Sequence, residues 1–203
     1  MAKIRRDEVA GAALELLDVV GLDGLSTRRL AEKLGVESAT LYWHFRDKSA
    51  LLAEMASLVL ARHHTIGVPE DIADWPLWFA DNARSFRRAL LAHRDGALLH
   101  AGTTPNQAEL ERILPKVAYL VRAGFGESDA RMALLAAGQF TVGCVLEEQA
   151  HDVRSASPEP QRKAAAKDET AQAADAGPAI DPIDPEVAFE FGLGLLVSGL
   201  CSR

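Results

Sequence analysis

The sequence predicts an all-α chain, and three observations carry that expectation. Its 203 residues show no alternating strand pattern and no internal repeat. Apolar residues from Ala50 onward recur at spacings of three and four, segment after segment. Residues 26–48 spell two short helices, a tight turn and the start of a third helix, with capping residues in place. We therefore expect a helix-turn-helix head at residues 1–48 and a larger helical body at 49–203.

In the head, Ser26 is placed to cap a helix whose apolar positions are Leu30, Ala31 and Leu34. Gly35 stands where a left-handed residue ends such a helix. Ser38 is expected to cap the next helix, Ala39 to Phe45, and Asp47 the one after. The middle helix is too short and too polar for a core element, and it displays Thr40, Tyr42, Trp43 and His44 within two turns. Such a helix, following a glycine turn, suits the DNA major groove. An ordinary helical hairpin with surface aromatics would share the two helices and the glycine. The cations favour the DNA reading: Arg28 and Arg29 open the first helix, Lys48 the third, and Lys3, Arg5 and Arg6 precede them, all placed to meet phosphates.

The body reads as helix after helix. Ala50 to His63 has apolar residues on most turns, and Trp75 to His93 carries Trp78, Phe79, Asn82, Phe86 and Leu90. A short helix near Asp95–Leu99 stops at Gly102 and Pro105. Glu109 to Ala123 is amphipathic, with a kink expected at Pro115. Ser128 to about Arg154 is apolar on nearly all sides, so it needs a core or a second copy to cover it. Residues 155–182 read as a mobile linker with a short helix near 169–176. The last helix, Pro185 to Cys201, is apolar around much of its circumference. We expect it to pair with the 128–154 helix in a four-helix bundle across a two-fold axis, making a homodimer.

The formal charge of −7 argues against nucleic acid until it is divided along the chain. Residues 1–50 hold 8 Lys/Arg and 8 Asp/Glu, whereas the remainder holds 14 and 21. An acidic body would confine DNA contact to the neutral, locally basic head. Cys144 and Cys201 lie in apolar helical stretches without metal-ligand spacing and read as buried thiols of a reducing cytosol. With no apolar leader and no run long enough to span a bilayer, the expected location is cytoplasmic.

Thr27-Arg28-Arg29-Leu30-Ala31 and Leu41-Tyr42-Trp43-His44 resemble the DNA-binding domain of the TetR family. The likeness continues into the body, where Arg62-His63-His64, Ser85-Phe86-Arg87, Arg94-Asp95-Gly96-Ala97, His100-Ala101-Gly102-Thr103 and the run from Phe140 to Glu147 are similar to the tetracycline repressors of that family. The resemblance covers most of the chain and fades at 155–182. It implies a ligand-gated repressor: a dimer on palindromic operator DNA, released when a tetracycline-like molecule carrying Mg enters the body and the helix from Lys48 moves. It also implies site residues. Thr27, Arg28, Thr40, Tyr42, Trp43, His44 and Lys48 match DNA-contacting positions, as do Ser38 and Ala39, which stand where glutamine and proline are usual. His64, Asn82 and Phe86 match residues that hold one end of the ligand, and Pro105, Ile113 and Leu134 match further pocket positions. His100 matches the direct metal ligand, with Thr103 and Glu147 reaching the metal through water.

Three departures bear on the ligand. Lys116 replaces a glutamine, Arg131 an apolar pocket residue and Thr104 an arginine. A lysine cannot accept a hydrogen bond, and a buried cation is costly unless paired. Either Lys116 and Arg131 turn away from the pocket, or the ligand differs from tetracycline and is more anionic. Two rival readings are a family regulator answering another small molecule and a metal-dependent hydrolase built on His100, Glu147 and His151. Against the hydrolase, the chain lacks HExxH or similar spacing.

Overall fold

The computed structural model describes residues 4–156 and 183–202, and the linker expected at 155–182 falls almost wholly outside them. Nine α-helices follow one another among the described residues, with no strand: α1 (Arg6–Gly24), α2 (Thr27–Leu34), α3 (Ser38–Tyr42), α4 (Lys48–His63), α5 (Trp75–Leu91), α6 (Gly96–Ala101), α7 (Gln107–Arg122), α8 (Glu127–Ala156) and α9 (Pro185–Cys201). A single 3-10 turn, Ile72–Asp74, precedes α5.

α1 lies ahead of the motif-bearing segment, yet its buried residues Val9, Ala10, Ala13, Leu14 and Leu17 repeat at helical spacing. They meet Leu30 and Ala31 of α2, Leu41 and Phe45, and Leu51, Met55 and Val59 of α4 in one core. Each large aliphatic side chain so buried contributes on the order of 1.5–3 kcal/mol. Three caps punctuate the head: Ser26 Oγ accepts from Arg29 N, Gly35 is left-handed at φ 64°, and Asp47 Oδ1 accepts from Ala50 N.

Two expectations about the middle helix are corrected. Glu37, not Ser38, occupies the N-cap position, and the helix ends at Tyr42 rather than Phe45. Beyond the helix, Phe45 turns inward and is 4% exposed in the head core, with its amide still bonded to the Leu41 carbonyl at 3.0 Å.

The body packs α5 against α4, α8 and α9, with α7 against α8. Trp78, Phe79, Tyr119, Leu120, Ala130 and Ala133 form its main core. Arg87 is almost fully buried. It donates to Glu148 at 2.7 Å and to Glu186, and lies over the Phe189 ring, so α5, α8 and α9 share one charged clasp. A buried cation is tolerated when several acceptors satisfy it. The expectation of two buried thiols is corrected, since Cys144 is half-buried and Cys201 exposed.

Candidate functional site

The head presents a protruding surface. Trp43 is 88% exposed and Tyr42 57%, while Ala39, Arg28 and Lys48 are also exposed. Thr27, Ser38, Thr40 and His44 are half-buried between them. Two adjacent exposed aromatics, Tyr42 and Trp43, give the head an apolar surface of the kind that contacts a partner. Arg28 makes only a loose pair with Glu32 at 3.6 Å, which leaves its guanidinium free to reach a phosphate or base edge. Arg5 and Arg6 are exposed and take carboxylate partners. Arg5 pairs with Asp7, and Arg6 binds Glu54 and the His44 carbonyl across the Phe45 ring, holding the head together. Lys3 lies outside the described residues.

The body encloses a cavity of about 740 Å³, a volume suited to a drug-sized molecule. His64 comes from the end of α4, Asn82 and Phe86 from α5, His100 from α6, Thr103 and Pro105 from the loop after it, Ile113 and Lys116 from α7, and Arg131 and Leu134 from α8. Among the expected ligand and metal residues, Glu147 is the one that does not reach this wall; it is exposed on α8. Arg131 stands at the rim and pairs with Glu127 at 2.7 Å, so it turns partly away.

Lys116 does not turn away. Its ammonium donates to Asn82 Oδ1 at 2.7 Å and to His64 Nε2 at 2.6 Å. His64 must then carry its proton on Nδ1, which donates to Ser85 Oγ at 3.0 Å. Burial, then the neighbouring Lys116 charge, pushes His64 down to about 3, so it is a neutral acceptor at pH 7. Burial and then Arg112 pull Lys116 down to about 8. The roles of Ser85 and Arg112 were not legible in the sequence; only the three-residue spacing of Asn82 and Ser85 on one helix face hints at the first.

Phe86 links the two histidines of the cavity: the His100 ring packs edge-on to it at 5.1 Å between centroids, and His64 meets it at 5.6 Å. Burial lowers the His100 pKa, which favours neutral imidazole, and its Nδ1 is buried without a hydrogen-bond partner. A neutral imidazole with an unused nitrogen fits metal ligation. No group of three His, Cys, Asp or Glu side chains able to hold a metal occurs among the described residues. The donor set therefore suits an ion that brings most of its oxygen ligands with it.

Cavity and head are physically connected. The first turn of α6 sits on α1, where Asp95 Oδ2 accepts from Leu22 N at 2.8 Å. Asp18 accepts from Arg94 N at 3.0 Å and contacts His93 Nδ1 at 2.9 Å, and Arg94 donates to the Val19 carbonyl. Gly21, at φ 70°, lies under this contact, where a Cβ would come within 3.0 Å of Asp95 Oδ2. Gly96 is pressed so closely on α5 that a Cβ would stand 2.1 Å from the Leu90 carbonyl oxygen. Glycine at both points lets head, α5 and α6 meet without a gap.

Residues 11–55 match the family model described as bacterial regulatory proteins of the tetR family, and residues 68–203 match the tetracyclin repressor-like C-terminal domain. The tetracycline repressor protein class A of Escherichia coli is 46% identical over 210 aligned positions, covering 100% of this chain and 93% of that protein. A structure of the class A protein in complex with 5a,6-anhydrotetracycline and magnesium is 42% identical, with a TM-score of 0.77 over 98% of this chain and 99% of that one. A TetR-family transcriptional regulator from Streptomyces coelicolor is 47% identical, with a TM-score of 0.68 over 98% of both chains.

Proposed function

The chain belongs to the TetR family of bacterial regulatory proteins, and from that premise we propose that it is a repressor whose dimer holds a palindromic operator and releases it when a tetracycline-like ligand carrying magnesium enters the cavity. It is a regulator, not an enzyme. No helix among the described residues is long and apolar enough to cross a membrane. A protein that reads an operator works beside the DNA, which assigns it to the cytoplasm.

One observation carries this reading: the helices that wall the cavity also hold the head. α6 runs from His100 on the cavity wall to the Asp95–Leu22 hydrogen bond on α1. α4 runs from Lys48 on the exposed head surface to His64 at the cavity, roughly 24 Å at the usual rise. A ligand seated against His100, Phe86 and Thr103 fits one placement of α6 better than another. That preference shifts the population between two head spacings, only one of which fits successive major grooves. Residues 1–48 act as the reading head on this account, and 49–203 as the body.

The dimer follows from surface chemistry. Met132 and Leu135 of α8 and Val187, Phe191 and Leu195 of α9 are each more than half exposed on this chain. A second copy packing α8 and α9 on the same helices would cover them in a four-helix bundle. His100 would hold the metal, with Thr103 through water; Glu147, expected to reach it through water as well, is off this chain's own cavity wall. Magnesium, when bound, supplies coordinate bonds that tie chelating oxygens of the ligand to an imidazole.

Thermal unfolding tests the reading. Tetracycline with magnesium should stabilise the protein by roughly 2.7 kcal/mol at a hundredfold excess over the dissociation constant, and magnesium alone should not. Equal unfolding temperatures in the two conditions would overturn it. A second reading, the same repressor answering a different small molecule, is favoured by one feature, the lysine at position 116 inside the cavity.

A further inference from the structure

We propose that the cavity selects acidic ligands, seating an anionic oxygen on the Lys116 ammonium at the end walled by Asn82 and His64. This rests on the reading of the cavity as the ligand site and specifies the chemistry of what enters it.

The ammonium is half-buried and its two acceptors, Asn82 Oδ1 and His64 Nε2, are both neutral. An ammonium has three donors, so one N–H remains for a ligand. Among the described residues no carboxylate pairs with it. One turn earlier on α7, Arg112 adds a second cation to the same wall. Among the described residues its side chain makes one long hydrogen bond, 3.5 Å to Ser57 Oγ, and its second terminal nitrogen is buried without a partner. Of the other titratable groups around this end, Arg131 is engaged by Glu127, burial keeps His64 neutral and lowers His100, and Arg88 adds a further cation near His64. Glu109 is a carboxyl raised by burial and lowered by the Arg112 charge, so it faces Arg112 and leaves Lys116 without a carboxylate.

A half-buried ammonium whose partners are both neutral is unfavourable, and an anion seated beside it would offset that cost. A neutral ligand would leave that cost in place. An anionic oxygen gains a charge-assisted hydrogen bond, about twice as strong as a neutral one. Lys116, lowered to about 8 by burial and by Arg112, would regain proton affinity beside an anion.

The probes are an anthraquinone carboxylate and the matching carboxamide, matched in shape and differing in charge. Calorimetry at pH 7 on the full-length protein should give the carboxylate about tenfold or greater preference. Lys116→Gln and Lys116→Met should each abolish it, with unfolding temperature confirming that the variants fold. At pH 8, binding of the carboxylate to the parent should take up about half a proton per site, since the lysine is half-titrated there, and the Lys116→Gln variant should take up none. Equal affinities in the parent, no binding of the carboxylate, or a preference that survives both substitutions would each overturn the proposal. Tetracycline with magnesium, titrated in parallel, separates the two claims. If it fails to bind while the carboxylate preference holds, only the tetracycline reading falls. If it binds while the two probes are equal, only this proposal falls.

Discussion

The Asp95 carboxylate accepts a hydrogen bond from the Leu22 backbone amide at 2.8 Å, fastening the first turn of α6 to the end of α1. Asp95 holds a left-handed conformation, φ 55°, to do so, one that aspartate tolerates better than alanine. Asp95→Ala should cost about 1–3 kcal/mol of stability and reduce the ratio of operator affinities without and with ligand. Asp95→Asn, which keeps an acceptor and the left-handed tolerance, should lose less of both. If neither variant changes that ratio, α6 does not carry the signal.

Lys48→Ala should weaken binding to all DNA sequences alike and lower the salt slope by about one. Arg28→Ala should cost roughly 1–3 kcal/mol, concentrated at one base pair. Fluorescence anisotropy on a panel of duplexes at several salt concentrations distinguishes the two. Parent-like binding by both variants would remove this surface from the DNA interface.

His100→Ala should make ligand binding independent of magnesium while leaving operator affinity unchanged. Burial favours the neutral imidazole, and one of its nitrogens is buried and unused, so among the described residues its removal breaks no ion pair and no side-chain hydrogen bond. Titration of tetracycline with and without magnesium reads the effect. A variant that keeps the parent's magnesium dependence would assign the metal to other groups.

Phe191, 71% exposed on α9, should lie at the centre of the dimer. Phe191→Glu should shift the protein toward monomer or aggregate in sedimentation, because an obligate dimer often lacks a stable folded monomer. A wholly dimeric variant would place the interface elsewhere.

The Lys116 ammonium also sets a pH dependence. Its folded-state value, about 8, lies below the ordinary 10.5, so the unfolded chain binds its proton more tightly. The cost to stability is felt in full below about pH 8 and is relieved as pH rises toward 10.5. Lys116→Gln should therefore raise the unfolding temperature at pH 7, by at most about 3 kcal/mol of stabilisation, and the gain should shrink by pH 10. A gain independent of pH would mean that the lysine is not desolvated.

Much of this architecture was legible in the chain because helical periodicity and end signals agree locally. α9 runs from Pro185 to Cys201 as read, with Asp184 as its cap. Ser26, Gly35 and Asp47 do what their side chains and conformations favour. Ser38 failed as a cap because position 37 already supplies the extended backbone, and no side-chain bond forms there. The cavity wall was harder. Lys116 could be placed near it only by analogy, and its orientation depends on acceptors 34 and 52 residues away. The apolar rows of α8 and α9 were equally ambiguous between core and interface. A single sequence does not distinguish burial within a chain from burial between two copies.

Occupancy of the cavity is expected to open the head. The direct measurement uses a labelled duplex that the protein has itself selected from a random library, with anisotropy followed as tetracycline and magnesium are added. Release of the duplex by the two together, and retention with magnesium alone, is the predicted result. A duplex that stays bound while calorimetry shows the cavity filled would contradict it.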